Sequence, residues 1–184
     1  MIPILNQKLR RPNILLEFHE ALRQKTEQIL SNIQIIDENG EIGKFAFKKP
    51  DGSITYEPNV YKNRLPVALA GEDDTGCFPY CIIRLSSGET AEDGDFYHVA
   101  ADFYFGAYED DVSGGGDVYI QTMREAIDTC FEEEPLLNHL YRAEPDTSWV
   151  LQDSDTYPYY FGALAITFSI PKMKRKDAFS DGYY

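Results

Sequence analysis

The sequence predicts an α+β fold: a mostly antiparallel β-sheet with two helices packed on one face, plus a projecting β-hairpin region. Three observations predict it. Asn13–Ile33 and Asp117–Glu133 carry apolar residues at helical spacing. Tyr97–Tyr108 and Tyr159–Ile170 alternate as half-buried strands do. The links elsewhere are short enough for antiparallel neighbours, so helices and strands share one layered core.

The first helix is expected to be capped by Asn13, whose side chain can accept from the free amides of the opening turn. Leu15, Phe18, Leu22, Ile29 and Ile33 define its apolar face, with Thr26 in the gap. Residues 37–65 then read as a hairpin insertion. Phe45–Lys48 faces Ser53–Tyr56 across the Pro50-Asp51-Gly52 turn, and the segment is expected to project from the core. A strand near Tyr80–Ser86 precedes the clearest one. Along Tyr97–Tyr108, Val99, Ala101, Phe103, Phe105 and Ala107 point to the core, while His98, Asp102, Tyr104 and Tyr108 point away. The second helix carries Asp117 in its first turn, Ile120, Met123, Ile127, Cys130 and Phe131 as its stripe, and Pro135 as its stop. Two short extended pieces, Tyr141–Glu144 and Ser148–Leu151, precede the final strand, whose core face is Leu164, Ile166, Phe168 and Ile170. Residues 1–171 form one domain on this reading, and 172–184 a polar, locally basic C-terminal tail.

Composition narrows the function. The chain has 184 residues with 31 Asp+Glu against 17 Lys+Arg, a formal charge of -14 that argues against a phosphate-gripping groove. An aromatic share of 14% argues for a packed core. No apolar run approaches the length of a membrane span, and the opening residues lack the pattern of a secretory leader. Three cysteines without a paired framework suit free thiols in a reducing compartment.

None of the candidate chemical constellations is strong. Cys77 and Cys81 stand four apart, yet the remaining thiol, Cys130, lies on a helix stripe, and His19, His98 and His139 are scattered. No nucleophile elbow is present. The Ser-Gly-Gly-Gly-Asp run before the second helix has no cation for a phosphate, and Glu109, Asp110, Asp111 and Asp117 would repel one. Acidic clusters at Glu72-Asp73-Asp74, Glu109-Asp110-Asp111 and Glu132-Glu133-Glu134 read as solvated faces or as parts of a shared negative surface. Trp149, Tyr157, Tyr159, Tyr160 and Phe161, with Tyr104 and Tyr108, suit either a partner surface or the end of the core.

Four segments together carry a family resemblance: "FPYCIIRLSSGE", "YHVAADFYFGAY", the "EDD…GGGD" loop opening a helix, and "WVLQDSDTYPYYFGALAITFSIP". Across about residues 66–171 the chain resembles the tail-terminator or tail-completion (head–tail joining) proteins of long-tailed bacteriophages and prophages. The resemblance implies a non-enzymatic α+β subunit without cofactor or metal. It would assemble with itself into a ring, typically a hexamer, in the host bacterial cytoplasm. In the virion it would cap the tail tube and meet the head-completion or connector protein, with DNA passing through without specific binding and no membrane involved. On that expectation Glu72, Asp73, Asp74, Glu109, Asp110 and Asp111 are lumen-facing acidic loops. Tyr104, Tyr108, Trp149, Tyr157, Tyr159, Tyr160 and Phe161 are the subunit or partner interface. A ring needs two different patches per subunit to meet, and sheet-edge pairing is an economical way to supply them. The alternative is an acidic DNA mimic that inhibits a nucleic-acid-binding protein, against which Lys44, Lys48, Lys49, Lys62 and Arg64 interrupt the negative charge. A small carboxylate-based hydrolase is a third reading.

Overall fold

The computed structural model describes residues 13–67, 74–92, 94–112, 115–153 and 155–172. The chain opens with α1 (Ile14–Ser31), followed by β1 (Gln34–Ile36), β2 (Ile42–Lys44), β3 (Phe47–Lys48), β4 (Ile54–Thr55) and β5 (Asn59–Lys62). Then come β6 (Tyr80–Thr90), β7 (Phe96–Tyr108), α2 (Gly116–Glu133), β8 (Leu136–Leu137), β9 (Tyr141–Leu151) and β10 (Tyr159–Pro171). Six strands form the main sheet in the order β5-β6-β7-β10-β9-β8, antiparallel throughout except for the β5–β6 pair, which is parallel. This is the α+β layering that the two helical and two alternating segments predict.

Alternation does the positioning. Phe103 stands opposite Leu164 on one side and Ile83 on the other, and Val99 stands opposite Phe168, so one face of the sheet is a continuous apolar surface. Both helices cover that face. Phe18 of α1 and Phe131 of α2 meet the Phe168 ring, at 5.1 and 5.2 Å between centroids. Ile120, Met123 and Ile127 complete the layer. Two glycines let α2 settle: a side chain at Gly116 would run into the Tyr160 ring, and one at Gly162 into Ile120.

α1 begins as expected, with Asn13 Oδ1 accepting from the Leu16 amide at 3.3 Å. Its inward face differs from the expected one. Phe18, His19, Leu22, Thr26 and Leu30 are buried, while Leu15 is exposed. Thr26 occupies the apolar row without penalty because its hydroxyl donates to the Leu22 carbonyl at 2.8 Å. On the outer side, Arg23 and Lys62 hold the Glu20 carboxyl down to about 2, a link that joins α1 to β5.

The insertion 37–65 does not simply project. β1 and β2 form an exposed two-stranded ribbon, but the β3–β4 hairpin is pinned to the core by the fully buried Phe47, which packs edge-on against Tyr119. β5 goes further and joins the main sheet. The two expected short pieces at 141–151 are one strand; the register shift opposite Thr167 and Pro145 accounts for the apparent break. The proposed C-terminal tail lies outside the described residues from Met173 onward.

Candidate interaction face

Among the described residues, no helix covers the second face of the main sheet. Along β6, β7 and β10 it presents Tyr80, Ile82 and Arg84, then Tyr108, Tyr104, Asp102 and His98, then Tyr159, Phe161, Ala163 and Ala165. At one end, Tyr80 lies over Gly106, where no side chain larger than hydrogen fits beneath the ring. Phe78, Tyr80, Tyr108, Tyr159 and Phe161 form a chain of tilted and edge-on aromatic contacts there. Beside them, Asn63–Val67 walls a cleft of about 820 Å³ whose floor includes Ile82, Tyr104 and Phe161. Arg84 stacks on Tyr104 at 5.9 Å, and the Tyr104 hydroxyl donates to Asp102 at 3.3 Å. The face is therefore aromatic at one end and charged toward its middle, a composition suited to contact with another macromolecule.

The seven aromatic residues expected at an interface separate into three sets. Tyr104, Tyr108, Tyr159 and Phe161 share the helix-free face. Trp149 and Tyr160 are on the other side: Trp149 stands opposite Leu164 under the Arg124 guanidinium, and Tyr160 packs on Gly116 of α2. Tyr157 lies in the turn before β10, its hydroxyl donating to the Asp110 carbonyl at 2.6 Å. A one-residue step along a strand reverses the face, so a cluster adjacent in sequence cannot all point to one partner.

The acidic loops also differ from expectation. Glu72 and Asp73 lie outside the described residues, and Asp74 opens the short 3-10 turn Asp74–Cys77. Glu109 is no lumen-facing group: it is 8% exposed. Its carboxylate accepts from the Tyr119 hydroxyl and the Asp111 amide, both at 2.9 Å, and pairs with Lys48 at 3.4 Å. Burial alone would raise this carboxyl. The Asp111 amide, the Tyr119 hydroxyl and the Lys48 ammonium outweigh it and hold the group below its usual range. Asp110 also pairs with Lys48 and is lowered by that contact, yet it and Asp111 remain exposed. The triplet thus divides into one structural carboxylate and two surface ones.

Among the described residues, no three His, Cys, Asp or Glu side chains gather to hold a metal ion. Cys81 is fully buried, and burial pushes its thiol up, away from the reactive thiolate. The closest approach to a catalytic relay is His98, Ser169 and Glu144. There the Ser169 hydroxyl donates to Glu144 at 2.5 Å and lies 3.3 Å from His98 Nδ1. The carboxylate engages the hydroxyl and not the imidazole, the reverse of the order that activates a serine. These three side chains make a polar ladder across neighbouring strands.

Sequence reasoning missed Lys48 and Arg84, which organise the acidic corner and the aromatic floor. Neither carries a local signal, because each finds its partner across a strand or some sixty residues away. No family model and no curated protein matches the chain.

Proposed function

We propose that the chain is a structural subunit that assembles with itself into a ring, as a phage tail terminator does, capping a tail tube and offering a docking surface to a head connector. One observation carries the reading: among the described residues, helices cover the main sheet on one side only, and its other side displays Tyr104, Phe161 and Arg84 around a shallow cleft. Aromatic and Arg side chains on a broad, open surface are what protein partners use as anchors. The charge distribution supports the same reading. Arg23, Lys25, Lys48, Lys62 and Arg124 are engaged by carboxylates of the same chain, and the chain keeps a formal charge of -14. A wall of that sign lets DNA slide past without capture.

Size-exclusion chromatography with light scattering, followed by negative-stain microscopy, tests this. Six-fold rings that bind purified tail tubes are the expected result. A monomer that instead binds a basic nuclease would replace the reading with an acidic DNA mimic, and turnover abolished by one Asp or Glu change would replace it with an enzyme.

A further inference from the structure

The two borders of the main sheet are each half occupied. β5 covers only Tyr80–Ile83 of β6, and among the described residues no strand pairs with the outer side of Arg84–Thr90. β8 covers only Tyr141–Arg142 of β9, and among the described residues no strand pairs with the outer side of Thr147–Leu151. Free edges are normally guarded by charge, proline or a bulge. The bulge and Pro145 guard the start of β9, but Thr147–Gln152 has neither charge nor proline and exposes Trp149 (53%) and Val150 (60%). Leu85–Gly88 on the opposite border is likewise uncharged.

The two half-borders are complementary. The Gln152 amide donates inward to Phe161, so by the alternation of an antiparallel ladder the main-chain groups of Thr147, Trp149 and Leu151 point outward. The Ala91 amide donates inward to Phe96, so those of Gly88 and Thr90 point outward from β6. Trp149 stands on the helix-covered side with Leu164, and Gly88 on that side with Val99. Two copies in the same orientation can therefore join β9 of one to β6 of the next, antiparallel, with the helix layers on one side of a continued sheet.

We infer that this chain self-associates head to tail through these half-borders, with Trp149 of one copy seated opposite Gly88 of the next. The inference rests on the self-assembly reading above and names its contact. Acidic side chains meet in either geometry, since the head-to-tail register also sets Glu92 level with Pro145, beside Glu144 and Asp146 of the neighbour; what head-to-tail pairing adds is a cation. Head to tail, Arg84 comes to the level of Gln152–Asp153 of the neighbour. A two-fold β9–β9 contact would bring Asp153 against Glu144 and Asp146 of the other copy. The register displaces each copy by about 13 Å along the strand direction, four residues at strand rise. Because the two patches differ, the contact propagates into a ring or an open filament and does not end at a dimer.

Single-cysteine variants V150C and S87C, both at exposed positions, are mixed and oxidised, with the parent chain as the background for its own three thiols. These positions fall opposite each other at a non-hydrogen-bonded site, within disulfide reach. The mixture is expected to give a cross-linked dimer at least about tenfold above either variant alone. Cross-linking of V150C with itself would establish the two-fold contact and overturn the inference. Rings on the microscope grid without the mixed cross-link would overturn it while leaving the ring reading intact. Filaments with the cross-link would uphold it and remove the ring. A second variant, W149K, should fold with unchanged circular dichroism and abolish both the cross-link and the assembly; assembly that survives W149K counts against the contact.

Discussion

The Lys48 ammonium lies 3.4 Å from the Glu109 carboxylate, fastening the insertion hairpin to the end of β7. Replacing Glu109 with Ala leaves the Tyr119 hydroxyl and the Asp111 amide without their acceptor at a buried position, and about 2–3 kcal/mol of stability should be lost, read by urea denaturation. The folded-state values of Glu109 and Asp110 are lowered, so the stability they contribute is present at neutral pH and falls away as pH drops through their folded values. The acid side of the stability profile should therefore be shallower in E109Q than in the parent.

Phe47 and Ile54 lie on the facing strands of one hairpin, and they should behave very differently. Phe47 is fully buried and Ile54 is exposed. Phe47→Ala should cost about 3–5 kcal/mol, and Ile54→Ala should stay within about 0.5 kcal/mol of the parent. Equal and small effects in thermal melts would mean that the hairpin is a free appendage.

Gly106→Ala places a methyl group against the Tyr80 ring, and Gly116→Ala places one against Tyr160. Each ring must move, at a cost of about 1–3 kcal/mol. The two should differ in a second readout: G106A alters binding at the helix-free face, whereas G116A loosens α2. Hydrogen exchange along Gly116–Glu133 separates them.

His19 is buried in α1, its Nε2–H donating to the Ile83 carbonyl at 3.0 Å. Burial is the main force that lowers its imidazole; the Ile83 contact opposes it, and Lys62 adds to the lowering. A lowered value means that the neutral ring is favoured in the folded protein. Its contribution is intact above about pH 6.5, the ordinary value for histidine, and is lost as pH falls from there through the folded value. Urea melts at pH 7 and pH 5.5 should show this loss in the parent and little of it in His19→Gln.

The sheet was legible wherever one strand pays attention to one core. Val99 to Phe105 and Leu164 to Ile170 alternate cleanly, and their burial follows residue by residue. The helix face was less legible because Ile14, Leu15 and Leu16 are consecutive, so two rotations of the same helix offer similar apolar stripes; the choice is made by where Leu30 and Phe18 meet the sheet. β5 had no readable signature at all. Four residues between Pro58 and Asn63 cannot announce a parallel partner twenty-one positions further on. The acidic triplet misled for a related reason: a carboxylate's surroundings are set by residues distant in the chain, and Lys48 and Tyr119 decide the environment of Glu109.

The one-sided covering of the sheet also sets how freely the sequence can drift. From Ala163 to Ile170, every second side chain is locked into the helix layer, and those between touch no such constraint. Saturation mutagenesis of β10, scored for folding alone, should therefore trace a two-residue rhythm of intolerance and permissiveness. Positions in the permissive set that nonetheless resist change when the variants are scored for self-association would mark where assembly, and not the fold, sets the requirement.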